Sequence, residues 1–204
     1  MIEINNYGES KMKICSVVLS GGKSSRMGTN KALLELHDKK VIEHIIEQLN
    51  DCGDQIVVVA NEKSDYDFLN VPILSDRYQN KGPLAGMETV MYHVEADLYL
   101  FSACDMPFVA PQIYHYLMDH LVDKDAIVPV FQDHIHPLSG IYKRSCLPFI
   151  QELIHNNQLS VRNLFKHMNV TFVEDYAGIP SDKLKKHFFN MNHPSDYEKA
   201  KLLQ

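Results

Sequence analysis

From residue 14 to residue 130, short apolar runs rich in β-branched residues alternate with segments of helical periodicity. No other feature limits the fold as strongly. Ile14–Leu19 reads ICSVVL, an unbroken apolar run ended by Ser20-Gly21-Gly22. Further runs fall at residues 56–59, 71–74, 98–101 and 126–130. Between them, Val41, Ile42, Ile45, Ile46 and Leu49 recur at helical spacing, with Cys52-Gly53 as a stop. Residues 84–94 form a second helical stretch led in by Gly82-Pro83, and Ile113, Leu117 and Leu121 mark a third. Runs without alternation suit strands buried on both faces. The expected fold is therefore α/β, a mostly parallel central sheet with helices on both faces. In such sheets ligands bind beyond the carboxyl ends of the strands. Ser20-Gly21-Gly22, Asn61, Asp76 and Asp105 all follow strand-like runs, so one edge of the sheet can gather them.

The second half is less regular. A strand is expected within residues 136–142, helices over residues 144–155 and 160–167, and a strand over residues 170–173. A polar stretch with Gly178, Pro180 and several lysines follows, and a last helix starts near His193-Pro194-Ser195. Ser195 and Glu198 have the spacing of a capping box. There is no repeat and no clear linker. Residues 1–12 are charged, lack an apolar signal core and read as a mobile extension; residues 13–204 read as one domain. With 20 Lys plus Arg against 26 Asp plus Glu, the net charge of −6 lacks the footprint of a nucleic-acid binder. No apolar run is long enough to cross a bilayer. Cys15, Cys52, Cys104 and Cys146 stand too far apart for a zinc knuckle or a redox pair. Free core thiols and a cytoplasmic location are expected.

The segment from Leu19 to Lys31, LSGGKSSRMGTNK, carries the most chemical information. Its three glycines let backbone N–H groups approach an anion with no Cβ in the way. Lys23, Arg26 and Lys31 add positive charge. It is not a Walker A loop, which needs glycine where Val17 stands, and it lacks the G-x-G-x-x-G of dinucleotide folds. The order Gly-Gly-x-Ser-x-Arg-Met-Gly followed by lysine resembles the signature of the MobA-like nucleotidyltransferases. Other segments extend the resemblance in the same order: Val59-Ala60-Asn61, Asp76 with Gly82-Pro83-Leu84-Ala85-Gly86, and Cys104-Asp105-Met106-Pro107. His136-Pro137-Leu138, Ile141-Tyr142, Ser160-Val161-Arg162 and Asn190-Met191-Asn192 before Pro194 and Asp196 complete it. The similarity runs over nearly the whole chain from Lys13. Two positions depart from the pattern: Asn30 stands where the family usually has Asp, and Ser20 replaces a common Ala.

The resemblance implies a three-layer α/β/α Rossmann-like nucleotidyltransferase fold. The implied reaction is transfer of GMP from GTP to the phosphate of molybdopterin, with release of pyrophosphate. The nucleophile then belongs to the substrate, and catalysis comes from positioning two anions and neutralising charge. Asp105 is the implied metal ligand, for Mg²⁺, a hard ion that takes one or two carboxylates beside substrate phosphates. Lys31 is implied to hold the β and γ phosphates and the leaving pyrophosphate. Arg26 either shares that task or braces the loop. Leu19, Ser20, Gly21 and Gly22 offer backbone contacts to the nucleotide. Asn61 and Asp76 resemble guanosine-pocket residues, although Asp76 is also an ordinary turn former. Asn190 and Asn192 either contact the acceptor or simply form the turn before the last helix. Lys143, Arg144 and Arg162 are candidates for the pterin phosphate. On this reading the Gly-rich loop serves the nucleotide and residues 190–192 the acceptor.

The implied partners are GTP and molybdopterin or its molybdenum form, then other cofactor-biosynthesis proteins and recipient molybdoenzymes. Neither nucleic acid nor a membrane is among them, and a monomer or weak oligomer is expected. The alternatives are a transferase that uses CTP or acts on a sugar or polyol phosphate, and a non-catalytic accessory protein that binds GTP or the cofactor. His134-x-His136 has no third ligand nearby and reads as a strand edge rather than a zinc site. Tyr114, Tyr116, Phe188 and Phe189 read as core or core edge.

Overall fold

The computed structural model describes residues 12–21 and 30–203. Among these, Ile14–Leu19 is strand β1, followed by a small antiparallel hairpin of β2 (Glu35–Leu36) and β3 (Lys39–Lys40). Helix α1 (Val41–Leu49) leads to β4 (Gln55–Val59) and β5 (Ile73–Leu74). Helix α2 (Pro83–His93) returns the chain to β6 (Leu98–Ala103), and α3 (Pro111–Asp119) to β7 (Ala126–Phe131). Then come β8 (His134–Ile135), β9 (Ile141–Lys143), α4 (Leu147–His155), α5 (Val161–Leu164) and β10 (Val170–Val173). Helices α6 (Ser181–His187) and α7 (Pro194–Leu202) close the chain.

The large sheet runs in the order β10-β7-β9-β6-β1-β4-β5, with β8 paired to β7. Along that order only β9 is antiparallel to its neighbours. The two faces of β1 feed two cores, as a period-2 strand must. Cys15, Val17 and Leu19 pack with α2, α4 and α5, while Val18 packs with α1, α3, α6 and α7. This is the expected three-layer arrangement. All four cysteines are free, and Cys15, Cys52 and Cys146 are buried. Among the described residues no helix is long and apolar enough to cross a membrane.

The differences from expectation lie where the pattern is polar or short. The strand expected within residues 136–142 begins as a 3₁₀ turn at Pro137–Ser139, and only Ile141–Lys143 is extended. Pro137 has a fixed φ and no N–H for a ladder, so pairing starts after it. The helix expected over 160–167 is confined to Val161–Leu164. Helix α6 was not expected, because its seven residues bury only Leu184 and His187. The last helix is capped by Asp196 rather than by the Ser195 and Glu198 pair. Its carboxylate accepts from the N–H groups of Asn192 and His193 at 3.1 and 2.9 Å.

Candidate active site

The order of strands reverses at β1. The chain adds β4 and β5 on one side of it, then crosses back to lay β6 on the other. Leu19 is in register with Val59 on one side and Ala103 on the other. Just beyond, the Ser20 N–H donates to Val59 O at 2.9 Å and the Cys104 N–H donates to Leu19 O at 3.1 Å. Adjacent strand ends therefore diverge into loops here, and the crevice between them is the usual ligand position in an open α/β sheet. Ser20, Gly21, Asn61, Cys104 and Asp105 all stand at this edge, within two residues of the strand ends.

Asp105 faces a cation across this crevice. Burial pushes its carboxyl above the usual carboxylate range; the Lys31 ammonium and a backbone hydrogen bond act in the opposite direction. Lys31 opens a 3₁₀ turn, Lys31–Leu33, capped by Asn30, whose Oδ1 accepts from the Ala32 N–H at 3.2 Å. The Lys31 Nζ donates to Asn192 Oδ1 at 3.2 Å, a contact across 161 residues. The carbonyl of Asp105 accepts from the Met191 N–H at 2.8 Å. Residues 190–192 are thereby docked on the loop after β6, with Asn192 on Lys31.

On the β4 side, Asn61 and Asp76 are clamped reciprocally. Asn61 Nδ2 donates to Asp76 Oδ2 and the Asp76 N–H donates to Asn61 Oδ1, both at 3.1 Å. Burial raises the Asp76 carboxyl above its ordinary value and the Asn61 bond opposes that rise. Gly86 lies beneath: a Cβ there would sit 2.8 Å from Leu19 Cδ2 and 3.6 Å from Asp76 Oδ1. Its lack of a side chain lets α2 approach the ends of β1 and β4.

The model of the MobA-like NTP transferase domain matches residues 16–172. The chain belongs to the MobA-like NTP transferase family. A relative from Carboxydothermus hydrogenoformans, named probable molybdenum cofactor guanylyltransferase, is 35% identical over 183 residues, covering 89% of this chain and 92% of its own length. A relative of the same name from Clostridium perfringens strain 13 is 35% identical over 191 residues, covering 92% and 96%. Among solved structures, molybdopterin-guanine dinucleotide biosynthesis protein A from Archaeoglobus fulgidus superposes with a TM-score of 0.80 at 25% identity. That match covers 93% of this chain and 97% of the other.

In this MobA-like chain the fold thus brings Lys31, Asp105 and Asn192 together, and sets Leu19, Ser20, Gly21, Asn61 and Asp76 beside them on the same edge. Gly22 and Arg26 lie outside the described residues. Asn190 is turned aside, donating to Phe188 O at 3.0 Å, and lines a cleft of about 370 Å³ with Phe131, His134, His136 and Lys185. Arg162 is exposed on α5, and its charge helps hold the His136 imidazole below its ordinary pKa, after the larger effect of burial. Among the described residues no group of three or more His, Cys, Asp or Glu side chains could hold a metal ion, His134 and His136 included.

Lys143 and Arg144 are not brought to the site. Lys143 pairs with Leu98, at the opposite end of β6 from Asp105. Arg144 donates to Val94 O and Tyr99 Oη, both at 2.9 Å, bracing that opposite edge. A larger cleft, of about 500 Å³, contains none of the candidate residues; Asp133, Glu174 and Asp175 line it, a poor setting for anionic substrates.

Two groups escaped sequence reasoning. Glu88 of α2 is fully buried, held by Arg77 Nη1 at 2.5 Å and Gln151 Nε2 at 2.9 Å. Arg77 also stacks 3.3 Å over the Tyr92 ring and donates its backbone N–H to Thr89 Oγ1. This ties the residue after Asp76 to α2. The other is Tyr66, buried under the start of the Gly-rich segment. Neither belongs to a local motif, because their partners lie 11 to 63 residues away.

Proposed function

We propose that this MobA-like chain is a molybdenum cofactor guanylyltransferase, transferring GMP from GTP to the phosphate of Mo-molybdopterin. An acceptor phosphate oxygen attacks the α-phosphorus, the bond to the β-phosphate oxygen breaks, and pyrophosphate leaves. The observation that carries this reading is the Lys31–Asn192 contact beside Asp105. It joins the end of the Gly-rich segment to the C-terminal segment at the crevice of a MobA-like fold.

The roles follow from charge and position. Lys31 holds the β and γ phosphates and offsets the charge that builds on the leaving pyrophosphate. Arg26 shares that work or braces the Gly-rich segment. The backbone of Leu19, Ser20, Gly21 and Gly22 approaches the nucleotide, and the Asn61–Asp76 pair faces guanosine. Asn190, Asn192 and Arg162 serve the acceptor. The cleft lined by Asn190, His136 and Lys185 gives that side basic and aromatic surface. Asp105 suits Mg²⁺: a single carboxylate, with no metal-ligating cluster around it among the described residues, fits an ion that draws its remaining oxygens from phosphates and water. Such an ion would neutralise phosphate charge during transfer.

The test is incubation of the protein with GTP, CTP or ATP, Mg²⁺ and molybdopterin, scored for pyrophosphate and dinucleotide product. Product from GTP alone is expected. Equal use of CTP moves the chain to a cytidylyltransferase, and nucleotide binding without product makes it an accessory protein.

A further inference from the structure

Ser20 and Asn30 bracket the Gly-rich segment, and both meet the same phenol. Ser20 Oγ lies 2.5 Å from Tyr66 Oη, and Asn30 Nδ2 donates to that oxygen at 2.8 Å. Tyr66 is 1% exposed and Ser20 9%. Tyr66 comes from a separate 3₁₀ turn, Lys63–Tyr66, that follows β4.

Donor and acceptor chemistry fixes the direction of both Asn30 bonds. The Ala32 N–H can only donate, so the Asn30 atom it meets at 3.2 Å is Oδ1. The amide NH₂ must then face Tyr66, and it too can only donate. Tyr66 Oη is therefore the acceptor from Asn30. Its own single hydrogen is free for Ser20 Oγ, the other close partner. Ser20 also meets the thiol of Cys104, the residue before Asp105. Burial keeps the phenol protonated, since it raises the Tyr66 pKa while Ser20 and Asn30 only partly oppose it.

We propose that Tyr66 is a positioning residue for nucleotide binding: its hydroxyl clasps Ser20 and Asn30, holding the two ends of the Gly-rich segment at a fixed separation and setting Lys31 against Asp105. The inference rests on the assignment of this edge to the nucleotide. The chain's two departures from the family pattern, Ser20 and Asn30, are the two residues that the phenol joins. They act as one device rather than as separate substitutions.

The test compares Tyr66→Phe, Ser20→Ala, their double variant, Asn30→Leu and Asn30→Asp, by steady-state kinetics, calorimetric titration with GTP, and thermal melting. Each of the first two, and Asn30→Leu, is expected to raise KM and Kd for GTP about five- to tenfold, the scale of one lost hydrogen bond. The KM for molybdopterin and kcat at saturation should stay within about twofold. The double variant should be no worse than the worse single, because members of one network are not additive. Asn30→Asp should return KM to within about twofold of the parent, since its carboxylate can take the phenol hydrogen and still cap Ala32. A merely structural Tyr66 would lower the melting midpoint and the active fraction, and so kcat, with KM for GTP unchanged. That result overturns the proposal, as do multiplicative effects in the double variant. If the parent protein binds another nucleoside triphosphate instead of GTP, the base assignment fails, and the same ratios measured with that nucleotide still decide the clasp.

Discussion

Asp105 sits where burial disfavours its charged form. Its folded pKa is raised above 3.8 by burial, so the folded protein holds the proton more tightly than the unfolded chain. Stability therefore falls as pH rises through the window between the unfolded and folded values, and the penalty persists at neutral pH. Asp105→Asn removes that charge. In the absence of ligands the variant should melt higher than the parent at pH 7. Its turnover at saturating Mg²⁺ should fall by at least about 10²-fold, the cost of losing a preorganised charge. Near-normal turnover would remove Asp105 from its role. Asn192 is subtler. Sequence reasoning assigns it to the acceptor alone, yet its Oδ1 is 3.2 Å from Lys31 Nζ. Asn192→Asp would create an ion pair there. At this exposed position the pair adds only about 0.2–1 kcal/mol of stability, but it competes with phosphates for the lysine. KM for GTP and for molybdopterin should both rise, roughly three- to tenfold. A change confined to molybdopterin would show that Lys31 is free of Asn192 when nucleotide binds.

Among the elements, α2 and β9 depend on close approach, and two glycines separate the consequences. At Gly86 the tightest contact of an added Cβ is the end of the Leu19 side chain, which can turn away. Overpacking of about 1 kcal/mol is then largely offset by the better helix propensity of alanine. Gly86→Ala should barely move the urea midpoint while raising KM for GTP severalfold, because Leu19, the residue displaced, ends β1 at the nucleotide edge and Asp76 lies in contact beside it. At Gly140 the tightest contact is the backbone oxygen of Ile127, 2.9 Å away, within the β7–β9 ladder. That oxygen cannot rotate aside. Gly140→Ala should cost about 1–3 kcal/mol in urea melts and leave KM for GTP within twofold. Reversal of these two outcomes would mean that α2, not β9, is the rigid member.

On the scale of the whole molecule, one sheet runs through both halves of the chain: β9 and β10, from the less regular second half, complete the row begun by β1, β4, β6 and β7. The protein should therefore unfold in a single cooperative transition by far- and near-UV circular dichroism. GTP with Mg²⁺ at about 100 times its Kd should add about 2.7 kcal/mol, a rise of roughly 5–10 °C for a domain of this size. ATP and CTP at equal concentration should give smaller rises, and two resolved transitions would break the single-unit description. The sequence by itself determined the layers, because buried parallel strands must be unbroken apolar runs and the covering helices must show a 3.6-residue stripe. It also marked Lys31, Asp105, Asn61 and Asp76 as candidates, chiefly through the resemblance of their segments to the MobA-like pattern. It could not show α6, whose single buried leucine leaves no stripe, nor the insertion of β9 between β7 and β6, the latter more than 40 residues away. Only the tertiary structure decided that Lys143 and Arg144 belong to the opposite edge, that Lys31 touches Asn192, and that Tyr66 joins Ser20 to Asn30. Each of these is a contact between distant segments, and such contacts leave no local periodicity to read, since what creates them is the closure of the fold itself.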